Sequence, residues 1–158
     1  DVEYNAAGKV INASVLWLLD ETGRRIKIKD DGSWGGEFSP DKRFISYIRG
    51  NNVFIASVDG KSEINLGRAD WPITWSPDGK TVLYSITEDD GHNITGAELW
   101  SVNIDGTEKQ QLTGITDLIE YEPHWSPTGN KIAYTDLATG NIYIADLSLT
   151  GGSRGLKR

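Results

Sequence analysis

The 158-residue chain has no cysteine, no methionine and only two histidines, His92 and His124. Without cysteine there can be no disulfide, no thiolate zinc site and no cysteine nucleophile. Without methionine, position 1 is not a translation start, and the expectation is a mature form or a piece of a longer chain. The histidines are not paired at metal-ligand spacing, so zinc is not expected. Cationic side chains are the minority, 16 against 23 acidic ones, for a net charge of −7. Phosphate binding needs a basic stripe, so nucleic acid is excluded as the main partner. An anionic membrane surface is disfavoured for the same reason. The one dense basic group, Arg24, Arg25, Lys27 and Lys29, reads as a solvated strand face. No apolar run approaches the roughly 18 residues of a membrane helix, so membrane insertion is not expected.

What the chain does have is internal repetition. Three segments align without gaps: Trp34-Gly-Gly-Glu-Phe38-Ser39-Pro40-Asp41, Trp71-Pro-Ile-Thr-Trp75-Ser76-Pro77-Asp78-Gly79 and Tyr121-Glu-Pro-His-Trp125-Ser126-Pro127-Thr128-Gly129. Each reads aromatic, three residues, aromatic, Ser-Pro. Eight residues after each serine stands a tyrosine: Tyr47, Tyr84, Tyr134. Apolar segments follow at Val53-Phe54-Ile55, Leu99-Trp100-Ser101-Val102 and Ile142-Tyr143-Ile144. An Asp-Gly turn (Asp59-Gly60, Asp105-Gly106) and a last apolar position (Leu66, Leu112) complete the first two copies.

Each copy predicts four short strands, because β-branched and aromatic residues fill the segments while Gly, Pro, Asp and Asn fill the breaks. Asp-Gly is a hairpin signal, and in Ser-Pro-Asp-Gly the proline presets φ while glycine accepts the left-handed conformation. The second copy carries a longer acidic insert, Glu88-Asp89-Asp90-Gly91-His92-Asn93, where the first has Arg49-Gly-Asn-Asn52. The N-terminus holds an incomplete copy. There Leu16-Trp17-Leu18-Leu19 matches the Leu99 segment, and Asp1-Val2-Glu3-Tyr4 matches Thr81-Val82-Leu83-Tyr84. The units are thus 1–29 (partial), 34–67, 71–113 and 121–157, within one domain 1–158. Gly151 to Lys157 supplies a poor last strand.

Repeats of roughly 40 residues with four antiparallel strands predict an all-β fold, a β-propeller of four-stranded antiparallel blades. About 3.75 blades are present by this count. The repeated aromatics Phe38, Trp75, Trp100, Trp125 and Trp17 are expected to fill the wedges between blades. An open arc would expose an apolar blade face, so a homodimer closing the ring, or further blades in a longer chain, is expected.

The run Pro72-x-x-Trp75-Ser76-Pro77-Asp78-Gly79-Lys80, with Tyr84, Leu99-Trp100, Asp105-Gly106 and Gln111-Leu112-Thr113, resembles the TolB-type, WD40-like propeller repeat over nearly the whole chain. Lys42 stands in for the turn glycine in one copy, and Thr128 for the aspartate in another. The resemblance implies a non-catalytic scaffold for protein–protein interaction, set in the bacterial periplasm or outside the cell. Two alternatives come with similar blades: a substrate-gating propeller part of a prolyl-oligopeptidase-like serine peptidase, and a carbohydrate-binding, uronate-lyase-type propeller.

No catalytic set stands out, and an enzyme is the less favoured reading. Gly151-Gly-Ser153-Arg-Gly155 fits Gly-x-Ser-x-Gly, but a nucleophile elbow needs a following helix and a later Asp and His. Glu122 and His124 lie on an inner strand and are the channel candidates. Asp89, Asp90, His92 and Asn93 offer oxygen ligands without EF-hand spacing, so no cofactor is expected, with calcium the one remote case. In an antiparallel blade, the loops between second and third strands share a rim with the blade-to-blade connections. That rim collects Trp34, Trp71, Tyr121, Glu88, Asp89, Asp90, His92, Asp117 and Glu120, with Asp30, Asp31 and Asp70 beside them. Arg49 and Arg68 are the opposing charges. An acidic rim with aromatics would steer a protein or peptide partner, a basic one above all.

Overall fold

The computed structural model describes residues 3–4, 10–12, 16–19, 22–29, 32–114, 118–150 and 153–157. Its strands are β1 (Glu3–Tyr4), β2 (Val10–Asn12), β3 (Leu16–Leu19), β4 (Arg25–Lys29), β5 (Trp34–Phe38), β6 (Phe44–Arg49), β7 (Asn52–Ser57) and β8 (Glu63–Arg68). They continue as β9 (Asp70–Trp75), β10 (Thr81–Asp89), β11 (Ile94–Asn103), β12 (Gln110–Gln111), β13 (Glu120–Trp125), β14 (Lys131–Asp136), β15 (Ile142–Thr150) and β16 (Ser153–Lys157). Strands β5–β8, β9–β12 and β13–β16 form three four-stranded sheets, each strand bonded antiparallel to its chain neighbour. β9 packs against both β5 and β13, which puts the first strand of each sheet toward a common axis.

The N-terminal unit departs from the expected pairing. Glu3–Tyr4, aligned by sequence with the second strand Thr81–Tyr84, pairs with Val10–Asn12 and not with Leu16–Leu19. Closing a short local hairpin costs less chain entropy than reaching the later strand. Trp17, expected in a wedge, is 50% exposed on the two-stranded β3–β4 sheet.

The sheets stack through apolar faces. Ile48, Val53, Ile55 and Leu66 of the second unit pack on Ile73, Trp75, Val82, Tyr84 and Val102 of the third. Leu83, Leu99 and Leu112 then meet Ile132, Tyr134 and Ala145, with Trp125, Tyr143 and Leu147 beside them. Both faces of β6, β7 and the first half of β10 are buried, which is why they read as apolar runs, whereas β14 alternates between buried and more exposed positions. The repeated tyrosines are all fully buried. Tyr47 stacks on Phe54 with ring centroids 5.6 Å apart, and Tyr134 on Tyr143 at 5.7 Å. Tyr84 faces Trp100 across the same register. Trp75 locks two sheets together: its Nε1–H reaches Ser46 Oγ at 3.0 Å and the Glu37 carbonyl at 3.2 Å.

One end of the stack is closed by a recurring turn. In Ser76-Pro-Asp-Gly, Ser76 Oγ donates to Asp78 Oδ1 at 2.6 Å, Asp78 Oδ1 accepts from Lys80 N, and Ser76 Oγ accepts from Thr81 N. Ser39, Asp41, Arg43 and Phe44 repeat every one of these bonds. The fourth residue of the turn is left-handed in all three copies: Lys42 at φ 62°, Gly79 at 70° and Gly129 at 73°. The turns also stack from blade to blade. A Cβ on Gly79 would lie 3.6 Å from Pro40, and one on Gly129 would lie 3.5 Å from Pro77.

Lys42 carries the left-handed strain that glycine avoids at the other two turns. Lys42→Gly is therefore expected to stabilise the fold by about 0.5–1 kcal/mol once glycine's extra unfolded-state entropy is set against it. Gly79→Ala should destabilise it by about 1–2 kcal/mol. Urea unfolding of the three proteins checks both signs. Ser46→Ala removes the nearer of the Trp75 indole's two acceptors and should cost about 1 kcal/mol in the same assay.

Candidate binding site at the mouth of the inner strands

The end opposite the Ser-Pro turns carries the loops between second and third strands. The backbone ties these loops to the blade-to-blade connections: Ala69 N donates to Asn51 O at 3.1 Å, and Leu137 N to Ile119 O at 2.8 Å. Side chains brace the same rim. Asp70 Oδ2 accepts from Thr87 N at 2.8 Å and Thr87 Oγ1 at 2.9 Å. Arg68 donates to the Thr87 carbonyl at 2.7 Å.

Within this rim, a cavity of about 300 Å³ opens where the inner strands begin, lined by Trp34, Asn51, Asp70, Thr87, Ile94 and Tyr121 among others. Trp34 is the first residue of β5, Asp70 the first of β9 and Tyr121 the second of β13, so three sheets each contribute a polar or aromatic side chain to the lining. Trp34 is 45% exposed. Burial, with help from the Glu122 and Asp70 carboxylates, pushes the Tyr121 phenol above its ordinary pKa and keeps it protonated.

The residues singled out in the sequence separate into several places. Trp34 and Tyr121 meet at the mouth. Glu88 lies instead in a second cleft, of about 450 Å³, with Arg68, Glu98, Leu118 and Ile119. Asp89, Asp90 and His92 sit exposed at the tip of the long β10–β11 hairpin. There Asp89 Oδ1 accepts from Gly91 N, and Asp90 Oδ1 from His92 N and Asn93 N at 2.9 and 2.8 Å. Those last two bonds hold the Asp90 carboxyl below its usual range. Glu120 is 1% exposed, so it lies inside the molecule and not on the rim surface. Trp71 stands in β9. Asp117, Asp30 and Asp31 fall outside the described residues. Glu122, at a positive φ of 51°, and His124 are both exposed on β13.

Sequence reasoning did not find Thr87, Asn51 or Ile94. Their signal would have been position alone, since all flank the loops that face the connections. The opposing charges are partly engaged: Arg49 pairs with Glu63 at 3.0 Å and lies 3.9 Å over the Phe54 ring. Among the described residues, no three His, Asp or Glu side chains gather as a metal site. Ser153 of the Gly-x-Ser-x-Gly match lies in β16, hydrogen-bonded along β15, with no helix after it among the described residues.

No protein-family model matches the chain. Over 107 residues, 63% of the chain, it is 34% identical to the Tol-Pal system protein TolB of Alcanivorax borkumensis. Over 70 residues, 44% of the chain, it is 37% identical to dipeptidyl-peptidase 5 of Porphyromonas gingivalis. These matches span only 24% and 10% of the two relatives' own lengths. TolB from Acinetobacter baumannii superposes with a TM-score of 0.65 at 15% identity, over 89% of this chain and 36% of that one. Oligogalacturonate lyase from Vibrio parahaemolyticus gives 0.59 at 19% identity, over 84% of this chain and 41% of that one. Structural likeness at these identities speaks for the fold alone.

The rim has its own acid sensitivity. Asp136 accepts from Thr139 Oγ1, Ile119 N and Ala138 N, and these bonds lower its pKa below the ordinary 3.8. A depressed folded-state pKa gives stability that is present above the unfolded value and lost as pH falls through the folded one. Asp136→Asn should therefore be less stable than the parent at neutral pH. The gap should shrink below about pH 4, as urea midpoints across that range will show.

Proposed function

Starting from a TolB-like propeller fold, we propose that this chain is a non-catalytic interaction scaffold that receives a protein or peptide partner at its rim. The observation that carries the reading is the mouth cavity, where Trp34, Asp70 and Tyr121 converge from three sheets. Exposed aromatics beside a concave, polar-edged site are the usual anchors of protein recognition. The net charge of −7, with Glu88, Asp89 and Asp90 near the rim, favours a basic partner by long-range steering. The likeness to a protein of the Tol-Pal system supports a setting in the bacterial periplasm. A second reading, a propeller segment that gates substrate for a peptidase, is favoured by the 37% identity to dipeptidyl-peptidase 5. The carbohydrate-lyase reading has only the fold likeness to oligogalacturonate lyase behind it.

The scaffold also has an unfilled apolar face. Ile142 and Ile144 on β15 are 74% and 66% exposed, whereas Val53 and Ile55, at the same repeat positions, are 0% and 3% exposed beneath the next sheet. Covering such a side chain contributes about 1.5–3 kcal/mol. A further blade surface, from a second copy or from more of a longer chain, is what fits there. Light scattering on the 17.4-kDa chain separates the two sources: a dimer that Ile142→Lys with Ile144→Lys dissociates, or a monomer unaffected by them.

A photo-crosslinking residue at position 34, compared with one at Thr128 on the opposite end, tests the rim. Adducts to one envelope protein from position 34 and none from Thr128 are expected. Equal labelling from both ends, or none, sinks the reading. Hydrolysis of dipeptidyl substrates by a longer chain containing these blades would favour the peptidase alternative.

A further inference from the structure

We propose that the mouth cavity is a socket for one cationic side chain, a lysine ammonium or an arginine guanidinium, held between the Trp34 and Tyr121 rings with Asp70 as its counter-ion. The inference deepens, and rests on, the reading of this rim as the partner-binding surface. Size comes first. At about 300 Å³ the cavity lies at the bottom of the range for ligand pockets, which suits one long side chain rather than a cofactor. Charge comes next. Of the residues lining it, Asp70 carries the sole carboxyl group and none is lysine, arginine or histidine; the rest are aromatic, aliphatic, amide, hydroxyl or glycine.

The two hydrogen bonds that Thr87 gives Asp70 both fall on Oδ2. They fix the carboxylate and leave Oδ1 without a donor among the described residues. A carboxylate inside an aromatic-lined recess pairs with a cation far better than with a neutral or anionic group. Ring faces add attraction for the same charge, and more for arginine, whose planar group stacks on them. The nearby cations do not fill the role. Arg49 is paired with Glu63, and Arg68 is bonded to the Thr87 carbonyl and lines the other cleft. Glu122, next along β13, adds negative potential at the Tyr121 ring and disfavours an acidic ligand.

The test is an NMR titration that follows the Trp34 indole N–H, assigned with Trp34→Phe, and the Thr87 amide. The probes are Nα-acetyl-lysine methylamide, Nα-acetyl-arginine methylamide and the uncharged Nα-acetyl-norleucine methylamide. Saturable shifts at both reporters are expected for the two cations, with norleucine roughly ten-fold weaker or more. Asp70→Asn keeps an oxygen for the Thr87 N–H, so the fold should stand, as a thermal melt will confirm. It should weaken the cations roughly ten-fold and leave norleucine unchanged. Trp34→Leu, at an exposed position, should weaken both cations and preserve the fold. Equal binding of norleucine and lysine, or cation binding indifferent to Asp70→Asn, overturns the socket. If position 34 still crosslinks a partner in that case, the rim reading survives the loss of the socket. Cation binding without rim crosslinks has the reverse meaning.

Discussion

When the face carrying Val53 and Ile55 gives up its water to Trp75, Tyr84 and Val102, two sheets become one packed layer, and the same event recurs at Leu99 against Ile132 and Ala145. Every other feature is downstream of this stacking. It demands apolar residues on both faces of the middle strands β6, β7 and β10. It also demands sheets of equal depth, which the shared register of Tyr47 with Phe54, Tyr84 with Trp100 and Tyr134 with Tyr143 supplies. The Trp75 indole adds direction to an otherwise non-directional force, because its N–H finds Ser46 in only one seating of sheet on sheet.

Stacking also sorts the loops. An antiparallel four-stranded sheet sends its first and third turns to one end, and its middle loop and outgoing connection to the other. At the first end, Ser, Asp and a left-handed residue satisfy one another in the Ser39 and Ser76 turns, Thr128 and Asn130 take the aspartate's part beside Ser126, and the pattern returns in Ser57-Val-Asp59-Gly60 and, with asparagine leading, in Asn103-Ile-Asp105-Gly106. At the other end the β6–β7 and β14–β15 loops are bonded to a connection instead, and Asp70 ties the stem of the β10–β11 hairpin to another, so loops and connections share one surface. The mouth cavity exists because three inner strands begin on that surface.

Much of this was legible in the residues. The aromatic–Ser-Pro–Tyr spacing marks where each sheet starts and which tyrosine is buried, because a turn that closes on its own hydrogen bonds fixes the following register. The partial copy at the N-terminus was read less well: Glu3–Tyr4 matched a second strand by type, yet a local hairpin with Val10–Asn12 competes with the distant pairing. The site was half legible. Trp34 and Tyr121 stood out as aromatics at strand starts, and Asp70 as one acid among several. What set Asp70 apart was its contact with Thr87, 17 positions later, which no spacing rule announces. Glu120 shows the converse: by type and place it belonged with the rim, and the packing of β13 buries it.

The β10–β11 hairpin runs out to Asp89 and Ile94, while its neighbour β6–β7 turns at Arg49 and Asn52, and below that height the two sheets pair alike. Extra length has been absorbed at the far tip without moving a buried residue. The molecule therefore has a conservative end and a permissive one. New chain can be spliced at the hairpin tip, and the surface a partner meets can be reshaped one loop at a time over an unaltered core.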